Sequence, residues 1–277
     1  DRLMSLVHTM VNDGDTESLI RKYLQAGVMI TNRYEPTEVG TPQGGNLSPL
    51  LSNIMLNELD KELEGRGLNF VRYADDCIIS VKSRASANRV LKSITKWIET
   101  KLGLKVNAEK SKVTRPRKLK FLGFGFYYNS NHKKWMTRPH EDSVLKFKRK
   151  LKKWTRRNWS MNFRERIKKL NEVIRGWINY FSMSSMKGKM KEIDAHLRTR
   201  LRVVIWKMWK VPSRRQWGLQ KLGIKKDWAR LTSYAGDRYQ WVATKTCVVL
   251  AISKKRLTQA GLVSCLDYYA EKHRTYS

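Results

Sequence analysis

Two aspartates stand side by side at Asp75 and Asp76, inside the run LNFVRYADDCIISV over 68–81. The stretches on either side are apolar and rich in β-prone residues, so the segment reads as a hairpin with Ala74-Asp75-Asp76 at its turn. Adjacent carboxylates repel each other there unless a cation neutralises them. Hard divalent ions such as Mg²⁺ take oxygen ligands of this kind. Paired ions ~3.5–4 Å apart stabilise the attacking and leaving oxygens of phosphoryl transfer. Aspartate is also common in hairpin turns for purely local reasons. The apolar strands favour the chemical reading, because they are expected to bury the hairpin and its acids in a corner of the fold.

Charge points to a partner of opposite sign. The chain of 277 residues carries 57 Lys+Arg against 24 Asp+Glu, a formal net charge of +33. Residues 1–100 hold 12 basic and 13 acidic side chains, whereas residues 138–230 hold 28 and 7. A near-neutral front and a basic back divide chemistry from grip, and a surface this basic implies a polyanion. Trp and Tyr interleaved with the basic residues favour nucleic acid over a membrane surface. Cys77, Cys247 and Cys265 are isolated, which fits free thiols in a reducing compartment and argues against a cysteine-based zinc site. His132, His140, His196 and His273 form no ligand spacing. No run of ~18 apolar residues suits a membrane span, and no secretory signal opens the chain.

The elements that must position these groups follow from periodicity. Residues 17–30 read as a short helix carrying Leu19, Ile20, Leu24 and Val28. The loop GTPQGGNLSP over 40–49 leads into a helix with Ser48-Pro49 in its first turn and Leu51, Ile54, Met55 and Leu59 on one face, ending at Gly65 or Gly67. After the hairpin, 83–102 is an amphipathic helix ended by Gly103. A short strand (LKV, 104–106) and a strand pair in LKFLGFGFYY and KKWMTRP complete an α+β domain with an antiparallel sheet. Beyond Pro139 the pattern is helical. Its stripes are Val144, Phe147, Leu151, Trp154; then Ile167, Leu170, Ile174, Trp177, Ile178, Phe181; then Ile193, Leu197, Leu201, Val204, Ile205, Met208. Three such helices make a small bundle. Residues 212–277 mix basic residues with Trp217, Trp228, Tyr239 and Trp241 and take no clear assignment.

Tyr73-Ala74-Asp75-Asp76 in this strand context resembles the catalytic motif of reverse transcriptases. Gly40–Pro49 resembles the family's loop-helix against template and incoming nucleotide, where Gly44 and Gly45 would let backbone approach a base pair. Asn107 and Lys110 match its Asn-x-x-Lys segment, and Phe121-Leu122-Gly123-Phe124 resembles its primer-grip turn. Arg175-Gly176-Trp177-Ile178-Asn179-Tyr180-Phe181 looks like the thumb signature of group II intron maturases. The order of the motifs covers nearly the whole chain.

The resemblance implies an incomplete palm over 1–138, a thumb over 139–211 and a basic DNA-binding segment over 212–277. It implies that Asp75 and Asp76 are catalytic ligands of two Mg²⁺ ions, with Lys110 near the triphosphate and the leaving pyrophosphate. Tyr73, Pro42, Gln43, Gly44, Gly45 and Asn107 would bind nucleotide and template, and Leu122 and Gly123 would grip the primer. The helices of 140–210 would clamp an A-form duplex through Lys148, Arg149, Lys152, Lys153, Arg156, Arg157, Lys168, Lys169 and Arg175, reading shape and phosphate. Expected partners are intron RNA, a template–primer duplex, dNTP and target DNA, with oligomeric state open. The family's third carboxylate, its fingers and the aromatic residue that excludes a 2′-hydroxyl are expected upstream of Asp1. Residues 1–277 alone are therefore expected to bind RNA without polymerising. No nuclease ligands appear, which suggests a bacterial, cytoplasmic enzyme of the short lineage. The alternatives are a splicing cofactor with no catalysis and a general nucleic-acid-binding protein with a chance YADD.

Overall fold

The computed structural model describes residues 2–26, 28–30, 33–35 and 45–273. Its elements are those of an α+β protein with antiparallel sheets, as the pattern predicts. Two units divide the chain, Asp1–Thr114 and Arg115–Ser277. The sheet over 120–139, grouped with the palm on sequence, therefore packs in the second unit.

The first unit opens with α1 (Arg2–Val11) and α2 (Gly14–Gln25). The Asp13 side chain accepts from Thr16 N and satisfies an orphan donor at the start of α2. Where the apolar pattern predicts helix to Ile30, α2 stops at Gln25. Val28–Ile30 (β1) instead pairs antiparallel with Arg33–Glu35 (β2). A glycine at 27 followed by Val-Met-Ile favours the extended chain.

Helix α3 (Ser48–Gly65) has its proline in the first turn and joins two small cores. Its Leu51 packs with Met4 and Val7. Leu59 and Leu63 pack with Ile94 and Leu102 of the segment that follows the hairpin. That segment is α4 (Arg84–Trp97) extended by a π-helical turn, Ile98–Leu102, and closed by Gly103 at φ +64°. Residues 104–106 form no strand, contrary to expectation; a three-residue run without a neighbouring strand has no ladder to join.

Between α3 and α4 lie β3 (Asn69–Tyr73) and β4 (Asp76–Ser80), paired with Tyr73 opposite Asp76. One face is covered: Phe70 and Ile79 pack with Leu59, Leu63 and Ile94. The other is open, with Val71 59% and Tyr73 63% exposed. Asp75 and Asp76 are exposed as well. The expectation of a buried corner is corrected: apolar strands on a two-stranded ribbon need only one covered face.

The second unit starts with β5 (Lys120–Phe121), β6 (Phe124–Asn129) and β7 (Lys134–Pro139) in that spatial order. Helices α5 (Glu141–Trp154), α6 (Phe163–Phe181) and α7 (Lys187–Met208) carry the three predicted stripes, except that Met208, at the last residue of α7, is exposed. Phe147, Leu151, Leu170, Ile174, Ile178, Leu197 and Leu201 are all buried. The tail is helical too: α8 (Pro212–Lys221), α9 (Lys226–Ser233), α10 (Tyr239–Thr244), α11 (Thr246–Ala251), α12 (Lys254–Gln259) and α13 (Cys265–His273). Leu219, Val242, Val248, Leu257 and Tyr269 from these helices enter the same core as the bundle. Helix α7 is covered by α10 and α13, so Arg202, Val203 and Trp206 are buried beyond its predicted stripe.

Side chains of the bundle hold the tail by its backbone. Asp194 accepts from Ser264 Oγ at 2.7 Å, Cys265 N at 2.7 Å and Leu266 N at 3.1 Å. Asn171 donates to Gly261 O at 2.7 Å and accepts from Val263 N at 2.9 Å. Among the described residues no helix is long and apolar enough to cross a membrane.

Candidate active site and nucleic-acid interface

The β3–β4 register leaves a two-residue loop, Ala74-Asp75, with Ala74 at φ +52°. A side chain in this left-handed region costs about 1–2 kcal/mol, so surrounding contacts must hold the turn. Arg72 supplies them. Its Nη1 donates to Ala74 O at 2.9 Å and to Asn53 Oδ1 at 2.9 Å. Nε donates to Asp60 Oδ1 at 2.7 Å, and Nη2 to Asp60 Oδ2 at 2.5 Å. Neither Asn53 nor Asp60 was singled out by the sequence, because their meaning depends on the hairpin crossing α3.

Asp75 and Asp76 make no ion pair or side-chain hydrogen bond among the described residues, which leaves four oxygens facing solvent. Such a donor set suits a hard divalent cation. Among the described residues no group of three or more His, Cys, Asp or Glu could hold a metal, so the pair does not form a complete metal site there. Tyr73 stands beside it, exposed.

Of the expected nucleotide loop, Pro42, Gln43 and Gly44 lie outside the described residues. Gly45 is described, and it packs closely on its own chain. A Cβ there would stand 1.7 Å from Tyr23 Oη and 3.0 Å from Ser48 Oγ. Tyr23 of α2, unnoticed in the sequence, lies against Gly45 on the side where a Cβ would stand.

Asn107 folds its own segment. Its Oδ1 accepts from Glu109 N and Lys110 N, both at 3.1 Å, while Ser111 N donates to Asn107 O at 2.9 Å. This turn presents Lys110 to solvent. Asn107 thus organises the backbone of the turn that carries Lys110.

The grip turn is similarly built. Leu122 and Gly123 join β5 to β6 at φ +49° and +81°. Tyr180 Oη donates to Leu122 O at 2.8 Å, and Ser143 Oγ and His140 N each donate to Gly123 O at 2.9 Å. Phe124 packs on Tyr180 and Phe181, with ring centroids 5.6 and 4.9 Å apart. Two motifs nearly sixty residues apart, the FLGF turn and the NYF end of α6, are one structure.

The cations of α5 and α6 are not equally free. Lys148 pairs with Glu192 at 2.7 Å and Lys169 with Glu172 at 3.1 Å. Lys153 lies over the Trp154 ring, and Arg157 over Tyr239 at 4.5 Å. Arg149, Lys152, Arg156, Lys168 and Arg175 are exposed without an ion pair among the described residues. Other arginines face inward. Arg166, 1% exposed, donates to the carbonyls of Trp154, Arg156 and Trp159. Arg200 donates to Thr155 Oγ1 at 2.6 Å and Thr155 O at 3.2 Å. Both converge on the C-terminus of α5, where orphan carbonyls and the helix dipole favour a cation. Desolvation lowers the pKa of each guanidinium.

Comparison with known proteins matches these regions to two family descriptions. Residues 4–126 match "Reverse transcriptase (RNA-dependent DNA polymerase)", and residues 144–223 match "Group II intron, maturase-specific domain". An uncharacterized 91 kDa protein in the cob intron of Schizosaccharomyces pombe is 26% identical, over 68% of this chain and 33% of its own length. The group II intron-encoded protein LtrA of Lactococcus lactis is 29% identical, over 44% of this chain and 31% of its own. Protein YkfC of Escherichia coli is 29% identical, over 40% and 38%. The chain spans about a third of the length of these curated relatives.

Proposed function

Because the chain belongs to the family of group II intron-encoded reverse transcriptases and maturases, we propose that it is the catalytic-turn and thumb portion of an RNA-directed DNA polymerase that also binds intron RNA and assists splicing. The observation that carries this reading is the pair of solvent-facing, unpaired carboxylates, Asp75 and Asp76, on a turn held from behind by Arg72. Divalent cations bound there would neutralise charge on the attacking and leaving oxygens of phosphoryl transfer.

The protein's own groups have separate tasks. Asp75 and Asp76 would hold the cations, together with a carboxylate from outside the described residues. Lys110, carried on the Asn107 turn, faces the triphosphate and supplies a proton to the leaving pyrophosphate. The Leu122-Gly123 turn places the primer end. Arg149, Lys152, Arg156, Lys168 and Arg175 meet phosphates of the template–primer duplex or of intron RNA. By role, residues 1–138 are palm, 139–211 thumb and 212–277 a segment for target DNA. The isolated cysteines suit the bacterial cytoplasm as the place of action.

Primer extension and RNA affinity, measured separately on the full-length polypeptide, test this. Asp75→Ala with Asp76→Ala should cut extension about a thousandfold or more, the equivalent of several kcal/mol of lost charge stabilisation, while leaving RNA affinity unchanged. Extension that survives the double substitution would overturn the polymerase reading. RNA binding in a wild-type protein that extends no primer would favour the non-catalytic splicing cofactor.

A further inference from the structure

We propose that Arg72 is the positioning residue of the acidic turn, and that Asp60 keeps its charge away from the metal ligands. This rests on the reading of Asp75 and Asp76 as a cation site.

Arg72 precedes the turn by one residue pair and reaches back across α3. Asn53 and Asp60, its partners there, are seven residues apart, which is two helical turns and one face. The guanidinium fork meets both oxygens of Asp60, at 2.7 and 2.5 Å. A planar fork matches a carboxylate in this bidentate way, and an ammonium does not. The remaining nitrogen, Nη1, is shared between Asn53 Oδ1 and Ala74 O. Four hydrogen bonds thus use one side chain that is 12% exposed, against an Asp60 that is 23% exposed. This is not the usual loosely solvated surface pair.

Two consequences follow for the acids. The carbonyl of Ala74 lies directly before Asp75, and Ala74 sits at φ +52°. Fixing that carbonyl to α3 fixes the direction in which the next two side chains leave the backbone. The second consequence is electrostatic. An arginine released from Asp60 would be free to swing toward the turn, pair with its carboxylates and compete with any cation. With both of its carboxylate-facing nitrogens committed to Asp60, Arg72 supports the turn, and Asp75 and Asp76 stay unpaired among the described residues. The apolar contacts of Phe70 and Ile79 hold the hairpin on its helices independently, so the clamp governs the tip rather than the existence of the hairpin.

The test measures Mn²⁺ binding by electron paramagnetic resonance and the Mg²⁺ dependence of primer extension, both on the full-length polypeptide. Arg72→Lys should weaken Mn²⁺ binding about tenfold, the lower end of what removing an outer support of a metal ligand costs. The Mg²⁺ concentration for half-maximal extension should rise by the same factor, with the maximal rate recovered at saturating Mg²⁺ and duplex affinity unchanged. Asp60→Asn, which keeps the arginine but releases its charge toward the turn, should weaken Mn²⁺ binding in the same direction. It serves alone if Arg72→Lys does not fold. Wild-type Mn²⁺ affinity in the folded Arg72→Lys or Asp60→Asn protein would overturn the proposal. Equal Mn²⁺ binding by wild type and by Asp75→Ala with Asp76→Ala would instead remove the cation-site reading itself, and the inference with it.

Discussion

Single residues here have two kinds of job that their letters do not distinguish. Arg149 and Arg166 are both arginines of the basic region, yet one is exposed and the other caps a helix from inside the core. Gly45 and Gly123 both sit in motifs that resemble substrate-facing turns. Each packs on its own chain: Gly45 against the Tyr23 hydroxyl, and Gly123, at φ +81°, against Ser143 and Phe181, 3.0 and 3.2 Å from where a Cβ would stand. Gly123→Ala should therefore destabilise the protein by about 1–2 kcal/mol in urea denaturation, from the left-handed conformation alone. An unchanged midpoint would show that the turn relaxes, and that its glycine answers to a ligand rather than to packing.

At the level of elements, the connections between segments distant in sequence carry the positioning. Tyr180 ties the end of α6 to the β5–β6 turn, and Arg72 ties the β3–β4 turn to α3. Helices α5 and α7 are joined at their surface by Glu192, which meets Lys148 at 2.7 Å and Lys189 at 2.8 Å. These hydrogen bonds hold the Glu192 carboxyl down at about 2, from an ordinary 4.5. The folded value is depressed, so this contribution is complete above the unfolded value and is lost as pH falls through the folded one. Glu192→Gln should flatten the acid dependence of stability between about pH 4.5 and 2. The effect will be small and salt-sensitive because the side chain is 53% exposed. Identical acid titrations of wild type and variant would show that the pair contributes nothing in solution.

For the whole molecule, the excess of positive charge is the property a polyanionic partner would meet, and only its exposed part would count. Phosphate contacts release counterions, so RNA affinity should fall about 10³–10⁵-fold between 50 and 200 mM salt if 6–10 phosphates are engaged. Replacing Arg149, Lys152 or Lys168 by Gln should each lower the slope of log affinity against log salt by about one. Lys148→Gln should not, because Lys148 already pairs with Glu192. Equal slope changes at all four positions would show that this ion pair opens on binding and that α5 and α6 present these charges uniformly.

Much of this was legible in the sequence because it depends on local rules. Period-3.6 stripes place α5, α6 and α7 and most of their buried residues; the β-prone runs place the hairpin; and Tyr73, Asp75, Asp76, Lys110 and Gly123 are singled out by the resemblance of their segments to family motifs. Local rules failed where a neighbour decides. Val28–Ile30 is strand because it has a partner in Arg33–Glu35, and residues 104–106 are not because they have none. Helices α8–α13 have short, mixed patterns, and they fold as part of a core centred on α7. The acids at 75 and 76 are exposed because only one face of their ribbon is covered. Residue types and spacing determined which groups could do chemistry. The tertiary structure decided which of those groups are free to do it, because a charge or a glycine is available to a ligand only when the rest of the chain has not already used it.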